Sequence, residues 1–149
     1  MELMVPLLPE TPRPGGLGPG WTGREPLPGG DFPVDGFEAL VAELLARWPF
    51  LAPAHARRLA RHYGTAARAI LGDAASMADL GRDFGATLTE AELDHLVARE
   101  WARTAADVAW RRTKLGLRLT PAEMEALDAA LADKLARGAA PAPSLAAAR

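Results

Sequence analysis

Ahead of several apolar runs in this chain a hydroxyl or carboxyl side chain is followed, three residues later, by an acid: Asp35 with Glu38, Ser76 with Asp79, Thr89 with Glu92, Thr104 with Asp107, and Thr120 with Glu123. At this spacing the first side chain accepts an orphan amide of a helix's first turn, while the acid reaches back to the amide of the cap. The pattern therefore marks helix starts, and Pro121 adds the favoured first-turn proline to the last of them. Stops are marked as well, because Gly64, Gly72, Gly116 and Gly138 each follow a helical run where a left-handed residue is needed. Between starts and stops the apolar residues recur at helical spacing. In the first run Phe37, Leu40, Val41, Leu44, Leu45 and Trp48 fall on one stripe that ends at Pro49. Only LGLRLT, 115 to 120, alternates like a strand, and a lone strand has no partner for its backbone, so it reads as an extended connector. The expected fold is all-α, a compact bundle of about six short helices behind an irregular, Pro/Gly-rich lead.

With 149 residues the chain has room for one hydrophobic core and frayed ends. Residues 1–30 hold PETPRPGGLGPGW and PLPGGD, which sustain neither helix nor ladder hydrogen bonding and read as a linker. The helical domain is expected over 31–137, with a disordered tail over 138–149. GGLGPG resembles a phosphate-binding loop only superficially: no strand precedes it, Pro19 interrupts it and no helix follows. The opening MELMVPLL lacks a basic flank and is broken by Pro6 and Pro9, so no targeting signal or membrane span is read there. A formal charge of -2 gives no global attraction to polyanions. The absence of cysteine excludes disulfides, thiolate metal sites and cysteine nucleophiles, and fits a cytoplasmic location.

The stretch HLVAREWARTAADVAWRRTKLGL, 95 to 117, stands apart because it sets two tryptophans and several bases in a plain helical background. Thr104 with Asp107 divides it into two helices meeting at a corner. On the first, the stripe of Leu93, Leu96 and Val97 continues onto Glu100, with Trp101 beside it. On the second, the stripe of Ala105, Val108, Ala109 and Leu115 takes in Arg112. Desolvating either charge alone costs several kcal/mol, whereas a bidentate contact compensates both. Glu100 and Arg112 are therefore expected to face one inter-helix space as a structural ion pair; the alternative is that each long stem carries its charge to water. Trp101 reads as core. Trp110 lies off its stripe beside Arg111, Thr113 and Lys114. It either packs on another part of the chain or marks, with those three, a docking surface.

Other constellations are weaker. His55 and His62 are two helical turns apart, too far to share a metal without further ligands. Glu92 and His95 have the spacing of helical di-iron ligands, but a single copy does not make such a site. Asp83-Phe84-Gly85 reads as a turn. No metal site is expected. Arg57, Arg58, Arg61, His62 and Arg68 concentrate positive charge on one helical run, which calls for nearby acids or a polyanion. Nucleic-acid binding is for that reason kept as an alternative function, and a free-standing helical interaction module as another.

EWART with Asp107 following, and then WRRTKLG, resembles the C-terminal helical domain of FAD-dependent, aerobic glycerol-3-phosphate dehydrogenase. PLPGGD at 26–31, RWPFL at 47–51, ARHYG at 60–64 and DLGRDFG at 79–85 agree in order and spacing, so the likeness covers roughly residues 19–135. Arg99 departs from it, since members often carry histidine before the Glu-Trp pair. The resemblance implies oxidation of sn-glycerol 3-phosphate to dihydroxyacetone phosphate, with electrons passing through FAD to membrane quinone. It also implies that the FAD and substrate residues belong to a larger N-terminal part of Rossmann-like fold. No catalytic or cofactor-binding residue carries over to these positions. The chain is expected to be the cap domain, inactive alone, with a separately encoded flavoprotein half as its partner, and without its own membrane insertion. No nucleotide-sized crevice lined by polar groups is expected within it.

Overall fold

The computed structural model describes residues 25–138. The linker residues before 25, GGLGPG among them, and the tail after 138 lie outside the described residues. The fold is all-α. Five α-helices follow in order: α1 (Phe37–Arg47), α2 (Pro53–Tyr63), α3 (Ala67–Leu71), α4 (Glu90–Arg99) and α5 (Pro121–Gly138). A π-helix, Asp107–Arg112, lies between α4 and α5, and short 3-10 turns link the rest. The backbone bridge between Asp83 and Thr89 is isolated and closes the loop ahead of α4, so Asp83-Phe84-Gly85 is the turn its sequence suggests.

The first stripe packs as its spacing requires: Leu40, Val41, Leu44 and Trp48 are buried, and Phe37 and Leu45 lie partly buried against the same core. Pro49 ends that run, and Pro53 opens α2 at its first turn. Leu59, Ala60 and Tyr63 of α2 meet α1, and Leu93 and Leu96 of α4 close the core from the other side with Leu127 and Leu131 of α5. Polar clamps set α5 in place. Lys134 Nζ lies 2.7 Å from both Glu90 and Asp94 of α4, and Asp128 accepts the amide of Ala105 at 3.2 Å.

Three of the five capping boxes form: Ser76 with Asp79 at the turn Met77–Leu80, Thr104 with Asp107, and Thr120 with Glu123. The other two lose their acid. Thr89 still accepts the Glu92 amide, but the Glu92 carboxylate goes to Arg58; Glu38 goes to Arg57, and α1 starts at Gly36 without a side-chain cap. The cause is common to both. Neighbouring arginines on α2 offer a two-pronged charged contact, which is stronger than one bond to a cap amide.

The end of the lead is tied down as well. The Thr65 amide donates to the Gly29 carbonyl at 3.0 Å. Gly29 and Gly64 both have positive φ, and a Cβ on Gly64 would lie 1.9 Å from the Gly29 oxygen, so this crossing of PLPGGD over the end of α2 requires glycine on both sides.

The main departure from the expected fold falls after Thr104. Thr113 donates its amide to Val108, five residues back, so the helix is wound wide and a 3.6-residue period no longer tracks its faces. Thr113, not Arg112, turns inward: Thr113 is buried and Arg112 is exposed. LGLRLT is not extended either. Lys114 adopts a left-handed conformation, and Leu115–Leu117 forms a 3-10 turn in which the Leu115 carbonyl accepts the amides of Arg118 and Leu119.

Candidate functional site

Among the described residues one ion pair is buried on both sides, Arg58–Glu92. Arg58 reaches both carboxylate oxygens of Glu92, at 2.7 and 2.6 Å, and also bonds the Thr87 hydroxyl and carbonyl. Tyr63 donates its hydroxyl to the same carboxylate at 2.7 Å. Glu92 is fully buried, so these bonds replace its lost hydration. Burial first, and then the Glu92 charge, push the Tyr63 phenol far above its usual range. It stays protonated and spent on Glu92.

The other face of Tyr63 forms the floor of a crevice of about 560 Å³, walled by Pro28, His62, Ala66, Ala69, His95, Arg99, Glu100, Trp101 and Arg112. A crevice of this size is thus present, half open to solvent and with more apolar than polar surface in its walls. It exists because α4 ends at Arg99 and the chain swings outward before the next helix begins. The His95 and Tyr63 rings stand edge to face at 5.4 Å. His62 is exposed at the crevice; partial desolvation there, helped by the Arg58 charge, lowers its pKa. Glu100 and Arg112 both line this space. The group nearest Glu100 at salt-bridge distance is the His95 imidazole, at 3.8 Å, and Arg112 is exposed. Burial of Arg112 as an inter-helix group is corrected by the wide π turn described above.

Trp101 is also corrected. It is 75% exposed, with φ of +57°, while the next residue, Ala102, is fully buried. The Leu96 carbonyl accepts the amides of both Glu100 and Ala102, which closes the helix end and tucks the small residue in. Trp101 is left at the left-handed position, where glycine is usual. A bulky side chain there is a genuine outlier. The sequence signal that would have found it was the lack of any glycine between Arg99 and Thr104, where a helix must nonetheless end.

The expected docking residues divide. Trp110 is 44% exposed, and its ring lies over Gly116, where a Cβ would come within 2.4 Å of it. Arg111 is exposed and pairs with Asp107; Lys114 is exposed and donates to the Trp110 carbonyl. Thr113 is not part of that surface, since it is buried and donates its hydroxyl to the Val108 carbonyl.

Three bases of the run over α2 and α3 are met by acids, and Arg61 lies over the Phe37 ring. Arg57 pairs with Glu38, Arg58 with Glu92 and Arg68 with Glu43. His55 is buried, its Nε2 lacks a hydrogen-bond partner, and burial together with Arg58 lowers its pKa. Glu92 and His95 share no metal geometry, and no group of three or more His, Asp or Glu able to hold a metal ion occurs among the described residues. A flavin dinucleotide does not fit these residues. It needs a glycine-rich turn between strand and helix to present amides to its pyrophosphate, whereas the crevice presents rings and guanidinium groups. Among the described residues no helix is long and apolar enough to cross a membrane. What the crevice offers chemically is recognition of an oxyanion beside an aromatic or aliphatic group.

The class defined so far is an all-helical domain with a tryptophan-rimmed crevice and, among the described residues, no cradle for a dinucleotide. Residues 21–137 match the model of the C-terminal domain of alpha-glycerophosphate oxidase, and the chain belongs to that family. It is 47% identical over 107 residues to the aerobic glycerol-3-phosphate dehydrogenase of Escherichia coli (strain K12), covering 72% of this chain and 21% of that protein. Against the glycerol-3-phosphate dehydrogenase of Pseudomonas aeruginosa the identity is 44% over the same shares, and against the D-erythritol 1-phosphate dehydrogenase of Brucella abortus it is 39%, over 74% and 22%. The chain spans about a fifth of the length of the curated relatives it matches.

Proposed function

We propose that this chain acts as the C-terminal cap of a flavin-dependent glycerol-3-phosphate dehydrogenase, with the FAD and the oxidation of glycerol 3-phosphate to dihydroxyacetone phosphate residing in a flavoprotein half outside residues 21–137. The observation that carries this reading is the match over residues 21–137 to the C-terminal domain of alpha-glycerophosphate oxidase. The poor fit of a dinucleotide to the described residues supports it. Docking on the flavoprotein half uses the exposed Trp110, Arg111 and Lys114, and the electrons pass to quinone at the cytoplasmic membrane through that half.

The test replaces the matching C-terminal region of the Escherichia coli dehydrogenase with residues 21–137 of this chain. The chimera is expected to oxidise glycerol 3-phosphate, and the chain alone, incubated with FAD, to remain colourless and inactive. A yellow preparation of the chain alone that reduces an acceptor with glycerol 3-phosphate contradicts the reading, as does an inactive chimera.

A further inference from the structure

Resting on the cap reading, we propose that the crevice beside Trp101 is the seat for a carboxylate-bearing segment of the flavoprotein half, with the Trp101 indole as its apolar anchor and Arg99 and Arg112 as its cationic arms. Three independent features converge there. Trp101 is 75% exposed in a strained left-handed conformation, although covering an indole removes on the order of 200 Å² from water. Strain of this kind persists where the surrounding structure enforces it, and it clusters at binding and switch sites. Buried Ala102 enforces it here, since turning the indole inward would put Ala102 out.

The second feature is charge. The protein is acidic overall, yet this rim sets Arg99 and Arg112 against the single acid Glu100, which already faces His95. Neither arginine forms a salt bridge among the described residues; Arg103, Arg118 and others share that lack, but Arg99 and Arg112 are the two that line the crevice. A planar guanidinium fork is suited to a carboxylate approached through an aromatic wall. The third feature is length. About four-fifths of each matched relative lies outside the region this chain covers, so a large partner surface is available in the whole protein. Tryptophan, tyrosine and arginine around a pocket are also the residues that dominate binding at interfaces.

The experiment uses the chimera defined above together with the isolated 149-residue chain. In the chimera, Trp101→Ala and Arg112→Ala are each expected to lower glycerol-3-phosphate oxidation at least tenfold and to speed limited proteolysis at the junction. In the isolated chain both are expected to leave the thermal midpoint unchanged. Arg137→Ala, on the exposed end of α5, serves as the neutral control in the chimera. An active chimera indifferent to both substitutions overturns this proposal while leaving the cap reading intact; an inactive parent chimera overturns the cap reading and the proposal with it. Light scattering on the isolated chain is expected to show a monomer. A dimer dissolved by Trp101→Ala would make a second copy the occupant and overturn the proposal.

Discussion

Residues 37–71 and residues 100–117 draw on the same alanine, leucine, arginine and tryptophan, and they use them in opposite ways. In the first region the helices are regular, Trp48 is buried, and Arg58 turns inward to a buried glutamate. In the second, a π-helix replaces the regular turn, and Trp101 and Lys114 sit at positive φ without being glycine. Trp101 stands out into solvent, and Arg112 is exposed at a crevice. The contrast teaches where the interactions are satisfied. The first region meets most of its charges within the domain, as Arg57, Arg58 and Arg68 do. The second leaves the Trp101 indole in solvent and Arg112 without a salt bridge among the described residues, and bends its backbone to do so, as expected of a surface shaped for another body.

The sharpest difference should appear on truncation. Trp48→Ala is expected to cost about 3–5 kcal/mol, the range for emptying a large aromatic site in a packed core. Trp101→Ala should stay within about 0.5 kcal/mol, as for a surface side chain. Urea unfolding of both variants measures this directly, and equal losses would erase the distinction. Arg58→Ala belongs with the large effects. It leaves the Glu92 carboxylate buried and uncompensated, an expected loss of about 3–5 kcal/mol, much of which Arg58→Met with Glu92→Leu should restore. Arg57→Ala, one residue away on the solvent side, should leave the midpoint where it is.

A smaller effect concerns acid. Burial depresses the pKa of His55 in the folded state, so the unfolded chain takes up that proton first. The stabilisation is complete above the ordinary value near 6.5 and is lost as pH falls from there through the folded pKa. His62 adds to the same slope with the same sign. Unfolding free energy should therefore decline between pH 6.5 and 5, and His55→Leu should flatten much of that decline; an unchanged slope would mean that His55 does not titrate with folding. The smallest effect lies in the second region. Gly116→Ala places a methyl against the Trp110 ring and is expected to shift tryptophan emission to the red, with little change in the thermal midpoint.

Much of the fold can be read from residues whose physics is local. The α1 stripe, the glycine stops at 64 and 72, and three capping boxes depend on neighbours within one turn, and they form as read. The departures arise where a distant group intervenes. Glu38 and Glu92 leave their caps because arginines 19 and 34 residues away bind them more strongly. The inward placement of Arg112 followed from a 3.6-residue period that a π turn does not keep, and exchanging Arg112 for Thr113 on the inner face follows from one extra residue in the turn. Trp101 was assigned to the core because indole burial is favourable, and the backbone reversal that exposes it carries no glycine to announce it. The crevice is not legible in sequence because His62 and Tyr63, Arg99, and Arg112 come from three places in the chain and meet only once α4 has ended.

The most direct measurement is the solvent exposure of Trp101 in two contexts, followed by fluorine NMR of 5-fluorotryptophan and assigned by loss of its signal in Trp101→Ala. In the isolated chain the Trp101 resonance is expected to show a full isotope shift between H₂O and D₂O. In the active chimera that shift should collapse as the flavoprotein half covers the ring. An active chimera in which Trp101 remains as exposed as in the isolated chain would contradict the assignment of this surface.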